Sequence, residues 1–323
     1  MKNTEIIDFL STDYSNLGEI SKIKKIKHNN INSQNYFISA KKGNFVLRKF
    51  SNRYTSEDIK KICTVLTFCS KYKISVPIPI LRKNHSFVNS QKKTYLTNFY
   101  DGDFFNGSTD QLINLAKSTA KLHKILKKFP ICYNLNSKNE YNILSISELN
   151  KIKNLIDKYD YPDRHDKTLI KNFDFVNSLL IENSNTKNLF QAKKQLIHYD
   201  LHPQNILFLK NSKPVILDFN SIRRGLIIED VAFASFRFAI FNSTKNSKLE
   251  SLMKLFISEY LKNNSIENKH LTNLVSYIRI RILALLSYVL REKYFHHSDL
   301  WNLYISKHLK TLKILKKLHT IQI

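Results

Sequence analysis

Glycine is scarce in this chain: five in 323 residues, beside six prolines, three cysteines and one tryptophan. The cysteines, Cys63, Cys69 and Cys132, are odd in number and form no C-x-x-C pair. That points away from a disulfide framework and towards a reducing, cytoplasmic compartment. No apolar run approaches the ~18–20 residues of a membrane helix, so no membrane partner is expected. The longest run, Ile282–Leu290, is bounded by Arg281 and Arg291. The opening segment, MKNTEIIDFL, has acids among its apolar residues and does not read as a secretory signal. Acids are scarce overall: 26 against 52 Lys and Arg, a net charge of +26.

That excess raises the class of basic nucleic-acid-binding proteins. The lysines, however, are spread along the whole chain, and Lys, Asn and Ile are abundant everywhere. The pattern is one of compositional drift and not of a basic patch. What survives is a surface that attracts small anions. Apolar residues at 42% and charged residues at 24% suit a folded soluble protein. The length allows two lobes.

The first hundred residues alternate like strands. Ile20–Ile26, Asn35–Ala40 and Asn44–Phe50 are strand candidates, the last two joined by the hairpin signal Lys-Lys-Gly. Phe87–Val88 and Thr94–Phe99 are two more. Thr55 reads as the N-cap of a helix over Glu57–Tyr72 with Ile59, Ile62, Cys63, Leu66 and Cys69 on one face. Val76-Pro-Ile-Pro79 cannot be helical. From Asp101 the pattern turns helical: Thr109–Lys127, Ser145–Tyr159, Phe173–Asn183, Val231–Phe241, Lys248–Lys262, Leu271–Lys293 and Ser298–His319. The seam falls near Tyr100–Asp103, giving an α+β chain with a small antiparallel-sheet lobe over residues 1–100 and a larger, mainly helical lobe over residues 101–323.

One stretch interrupts the helices. Leu196–Asp218 reads LIHYDLHPQNILFLKNSKPVILD and sets His198, Asp200 and Asn205 in the spacing H-x-D-x-x-x-x-N, with Asp218 thirteen residues later behind Val-Ile-Leu. A lone H-x-D is common, and any aspartate can be a solvated loop residue. The combination is specific, because apolar residues flank the loop and a strand delivers Asp218 to one place. Phosphoryl transfer needs positioning and charge neutralisation. Asp200 can accept the proton of an incoming hydroxyl, and His198 can hold the loop's shape. Asn205 and Asp218 offer the hard oxygens that Mg²⁺ prefers.

These residues resemble the aminoglycoside-phosphotransferase superfamily of small-molecule kinases, which includes choline kinases and single-chain homoserine kinases. The spacing over Asn30–Val231 is most similar to the homoserine-kinase branch. The resemblance implies a protein-kinase-like fold with ATP and Mg²⁺ between its lobes and a small-molecule alcohol as acceptor. It makes Asn30–Ile38 the phosphate loop, Phe45-Val-Leu-Arg48 the third strand with Arg48 on the phosphates, and Thr97–Phe99 the adenine-binding hinge. The expected nucleotide contacts are therefore Ser33, Arg48, Thr97 and Phe99, and the expected metal ligands Asn205 and Asp218. Asp200 and His198 are the catalytic pair. Asp230, in Glu229-Asp230-Val-Ala, would brace the catalytic loop.

Departures from the family pattern carry their own expectations. The phosphate loop Asn30–Asn35 lacks glycine. Arg48 stands where lysine is usual, with Glu57 or Asp58 as its acidic partner. Tyr199 fills a slot where glycine is usual, either shaping the acceptor pocket or packing. Asn220 replaces a glycine and would take the positive φ of that turn. Arg223-Arg224 is either an anion contact or a solvated turn. His296-His297 with Asp299 and His308 could suggest a metal site, but adjacent histidines point apart on a helix and the group reads as a solvated helix end. A pseudokinase scaffold and a nucleic-acid-binding protein are the alternative classes.

Overall fold

The structure is a computed structural model that describes residues 3–26, 33–130, 141–184 and 186–318. Asn30–Asn32 of the expected phosphate loop, and Cys132, lie outside the described residues. The fold is α+β, and the chain forms two compact units, Met1–Leu135 with Pro203–Ile222, and Asn136–His202 with Arg223–Ile323.

In the first unit, strands β1 (Ile20–Ile26), β2 (Ser33–Ala40), β3 (Gly43–Phe50), β4 (Val88–Asn89) and β5 (Thr94–Asn98) form an antiparallel sheet in the order β1-β2-β3-β5-β4. Strand side chains alternate between faces. On one face Tyr36, Ile38, Phe45, Leu47 and Leu96 pack against Ile6, Phe9 and Leu10 of helix α1 (Asn3–Asp13). The sequence reading missed this helix, whose apolar signal is four residues, one of them, Ile7, exposed. Helix α2 (Ser56–Lys71) begins with a capping box in which Thr55 and Asp58 satisfy each other's backbone N–H. Its Cys63 and Cys69 are buried, and burial pushes both thiols up to about 12, which rules them out as nucleophiles near neutral pH.

The first unit runs past the Tyr100–Asp103 seam and takes in a later segment for a backbone reason. Strand β6 (Asp103–Phe104) pairs with β8 (Ile206–Phe208), which pairs with β9 (Pro214–Ile216). Helix α3 (Thr109–Leu126) adds an Asn114 contact to the Ser212 carbonyl, and Ile216 N–H donates to the Ser75 carbonyl at 2.9 Å.

The second unit holds helices α4 (Ile146–Ile156), α5 (Arg164–Lys171) and α6 (Phe173–Ser184), the pair β7 (Gln195–Ile197) and β10 (Arg223–Gly225), then α7 (Ile227–Asn242), α8 (Asn246–Leu261), the short α9 (Asn268–Leu271), α10 (Leu274–Tyr294) and α11 (Leu303–Lys317). The expected helix over Leu271–Lys293 breaks at Thr272-Asn273, and helix α5 was not expected. No described helix is long and apolar enough to cross a membrane. A Cβ at Gly225 would meet Ile197 Cδ1 at 2.5 Å and Glu229 Oε1 at 2.8 Å, so any larger residue there would have to displace those side-chain ends.

Glu148 joins two elements of this unit. It completes the capping box of α4 with Ser145 and takes two bonds from Arg291 of α10, at 2.9 and 3.0 Å. The Arg291 hydrogen bond chiefly, against a smaller burial effect, holds its carboxyl at about 2, below the ordinary 4.5. A lowered carboxyl stabilises the fold above its unfolded value and loses that contribution as pH falls. Glu148→Gln should therefore destabilise the protein at neutral pH, and the gap to wild type should close as pH drops from 4.5 towards about 2; denaturant midpoints across that range measure it.

Candidate active site

The polar face of the first sheet forms one wall of a cavity within the first unit. Strand alternation puts Val46 and Arg48 of β3 on the face opposite Phe45 and Leu47, together with Asn35, Tyr95 and Thr97 from β2 and β5. These five line a cavity of about 310 Å³ whose wall also includes Phe99, Tyr100, Asn205, Leu207, Leu217 and Asp218. The volume suits a small ligand or cofactor. Apolar side chains form most of this wall, and Arg48, Asn205 and Asp218 bring polar groups into it.

Arg48 is buried, and its Nη2 donates to Asp218 Oδ1 at 2.9 Å and to Ser33 Oγ at 3.2 Å. Burial would lower the guanidinium's pKa, but Asp218 and Tyr95 outweigh that and hold it above its ordinary value. Its buried Nε has no partner among the described residues. The partner of Arg48 is thus Asp218 and not the expected acid of the first long helix. Asp58 is spent on the cap at Thr55, and Glu57 is exposed.

Asn205 and Asp218 stand at the open end of the hairpin formed by β8 and β9, away from its turn. Leu217 N–H donates to the Asn205 carbonyl at 2.8 Å, fixing the backbone on both sides. Asp218 itself takes the left-handed conformation, φ 54°, and caps a 3₁₀ turn over Phe219–Ser221. The positive φ therefore falls on the aspartate and not on Asn220, which lies inside that turn. An aspartate tolerates this region better than a branched residue does.

The expected hinge needs a correction. Asn98 N–H donates to the Ile78 carbonyl at 3.2 Å and Phe99 N–H to the Asn44 carbonyl at 2.9 Å. Those donors are committed to the sheet, so neither is left for a base. Thr97 is buried within β5, opposite Val46. Phe99 and Tyr100 themselves line the cavity.

The second unit carries His198, Tyr199 and Asp200. Both oxygens of buried Asp230 accept backbone N–H groups, from His198 at 2.8 Å and Tyr199 at 2.7 Å. His198 is fully buried, and its Nδ1 accepts the Asp200 N–H at 3.2 Å. Asp200 Oδ2 lies 3.5 Å from His202 Nε2, and Oδ1 lies 3.9 Å from Arg281 Nη2. Burial would raise the Asp200 carboxyl. His202, Arg281 and His198 outweigh that and hold it well below the usual carboxylate range. Asp200 is therefore ionised at neutral pH.

Tyr199 packs. Its φ is 69°, an unfavourable region for a bulky residue. Its ring lies 3.4 Å from the Arg223 guanidinium and 3.6 Å from that of Arg281, and Arg281 also donates to its carbonyl at 3.2 Å. Arg223 is in turn bound to Glu229 at 2.5 Å, so it is neither a solvated turn residue nor a free anion contact. Sequence reasoning missed Arg281, which comes from a helix some eighty residues away and was visible only as the flank of an apolar run.

The model of the phosphotransferase enzyme family matches residues 22–245. Among curated proteins, none matches the chain by sequence. Solved structures with a similar fold include a spectinomycin phosphotransferase in complex with ADP and spectinomycin, at 14% identity and a TM-score of 0.74 over 99% of this chain and 96% of that one. An amicoumacin kinase solved with AMP-PNP and Ca²⁺ gives 15% identity and a TM-score of 0.67 over 100% and 95%. A choline kinase from Streptococcus pneumoniae gives 13% and 0.61 over 98% and 100%.

Asp230→Ala would leave the buried N–H groups of His198 and Tyr199 without their acceptor. At about 1–3 kcal/mol for each unsatisfied group, the variant should lose roughly 3 kcal/mol of stability. Hydrogen exchange should quicken at those two amides before it does elsewhere in the unit; unchanged protection there would contradict the bracing role.

Proposed function

The chain belongs to the phosphotransferase enzyme family, and on that premise we propose that it transfers the γ-phosphate of ATP to a hydroxyl of a small metabolite of homoserine, choline or aminoglycoside type. The observation that carries this reading is the meeting of Arg48, Asn205 and Asp218 on the wall of one cavity. The triphosphate chain needs cations and oriented donors more than it needs covalent chemistry. Arg48 supplies a charge that cannot be lost at any working pH. Ser33 holds that guanidinium from the side. Asn205 and Asp218 offer an amide oxygen and a carboxylate, a donor set of the hard oxygens that suit Mg²⁺. When bound, that ion would neutralise charge on the phosphates. The apolar wall formed by Val46, Leu207 and Leu217 suits a base.

Asp200 acts on the acceptor hydroxyl. A carboxylate held this far below its usual range is a weak base, suited to orienting the hydroxyl and taking its proton late, once the bond to phosphorus is forming. His198, buried with its Nδ1 on the Asp200 N–H, is a positioning residue.

Asp200→Asn should cut turnover by about 10²–10⁴-fold while leaving the affinity for Mg·ATP within a few-fold. A near-normal rate in that variant would remove Asp200 from the chemistry. Asp218→Ala tests the other half. It should weaken Mg·ATP binding by about tenfold or more, yet metal-free ATP should bind at least as well as to wild type, because Arg48 loses its competing carboxylate. Calorimetry with and without Mg²⁺ separates the two, and equal losses in both titrations would contradict the metal-ligand role.

A further inference from the structure

The second unit gathers more cations around Asp200 than that residue can neutralise. Arg281 on α10 approaches Asp200 at 3.9 Å. Arg237 on α7 does not share in an ion pair among the described residues. Both guanidinia sit over the ring of Phe233, Arg281 at 5.4 Å and Arg237 at 5.7 Å. Arg237 is half-buried and its Nε is buried without a partner. Burial pushes this guanidinium below its ordinary value, and Arg281 adds to that, against a partial offset from Asp200 and Tyr304.

Helix α11 brings a third cation. Lys307 lies over the ring of Tyr304 at 5.3 Å and has no carboxylate partner among the described residues. Partial burial and the charge of Arg237 lower its amine. His308 is buried where a solvated helix end was expected. Burial, then Arg237 and Lys307, pushes its imidazole down to about 4, so it is neutral near pH 7 and adds no charge. The other nearby acid, Asp230, has both oxygens on backbone N–H groups. Arg237 and Lys307 thus lie beside each other without an acid of their own among the described residues, while Asp200 is already approached by His202 and Arg281. An unpaired buried cation is costly, and an anion relieves that cost when it arrives.

We propose that the acceptor carries an oxyanion beside its reacting hydroxyl, bound by Arg237 with help from Lys307 while Asp200 takes the hydroxyl. Arg223, stacked on Tyr199 and paired with Glu229, is not part of this site. The proposal rests on the kinase reading and narrows it, because a site of this charge repels quaternary ammonium and polyamine acceptors. A carboxylate and a phosphate ester share the chemistry that Arg237 recognises, as both offer oxygens to a planar fork of donors.

The experiment measures binding of matched alcohols by calorimetry: glycerol, glycerate and glycerol 3-phosphate as one set, 3-amino-1-propanol and homoserine as another, and choline as the cationic control. The readout is the ratio of affinities within a set, which does not depend on how much of a variant is folded. In wild type the anionic members should bind about tenfold tighter or more than their neutral or amine parents; comparing glycerate with glycerol 3-phosphate tells the carboxylate from the phosphate source. Arg237→Met should collapse the ratio to within roughly threefold, Arg237→Lys should keep most of it, and Lys307→Met, at an exposed position, should reduce it. A wild-type ratio near one, a ratio that survives Arg237→Met, or choline binding tighter than every anionic member would overturn the proposal. Failure of Mg·ATP to bind, with the anion preference intact, would instead overturn the kinase reading and leave the anion site standing.

Discussion

A guanidinium shut away from water keeps its charge, and the surrounding chain must answer it. In the first unit that constraint is the pairing of Arg48 with Asp218 at 2.9 Å, between residues 170 positions apart. Arg48 is placed by strand alternation, and Asp218 by a backbone turned into the left-handed region at the end of β9. Ser33, Tyr95 and Phe50 complete the shell, the last with its ring 5.2 Å from the guanidinium. Such a pair adds little net stability, since desolvation cancels much of the attraction. Its consequence is geometric: a cation and a carboxylate stand together on one cavity wall.

The second unit solves a different problem by similar means. Tyr199 holds a positive φ that costs on the order of 1–2 kcal/mol for a residue with a side chain. Two backbone bonds to Asp230 and two stacked guanidinia offset the strain. The same Arg281 that stacks on Tyr199 reaches Asp200, so the strained turn and the ionised carboxylate share a support. Glycine, usual in that slot of the family the sequence resembles, would need no such sandwich.

Much of the fold was legible in local patterns. The alternation Phe45-Val-Leu-Arg48 placed Arg48 on the face opposite Leu47, and the period of α2 placed Ile59, Ile62 and Cys63 inside. The misses share a cause. Glu57 or Asp58 could have served as partner for Arg48, each also explained by helix capping alone, and the capping box at Thr55 claims Asp58 within three residues. Thr97–Phe99 was read as the hinge that supplies donors and acceptors, but Ile78 and Asn44 accept the N–H groups of Asn98 and Phe99. Helix α1 offers only four apolar residues, and a sheet face takes three of them, Ile6, Phe9 and Leu10.

The amino-acid sequence by itself determined the order of the chemistry: an aspartate behind a histidine, an asparagine five residues on, and an aspartate at a strand end. It also determined which side chains share a strand face or a helix stripe, because those periods are set by the backbone within a few residues. Only the tertiary structure decided which charges meet. The pairing of Arg48 with Asp218, the stacking of Arg281 on Tyr199 across 82 residues, and the unanswered charge of Arg237 all depend on packing between elements far apart in the chain. No local period encodes such distances, so the catalytic motif could be read in one dimension while the electrostatics around it could not.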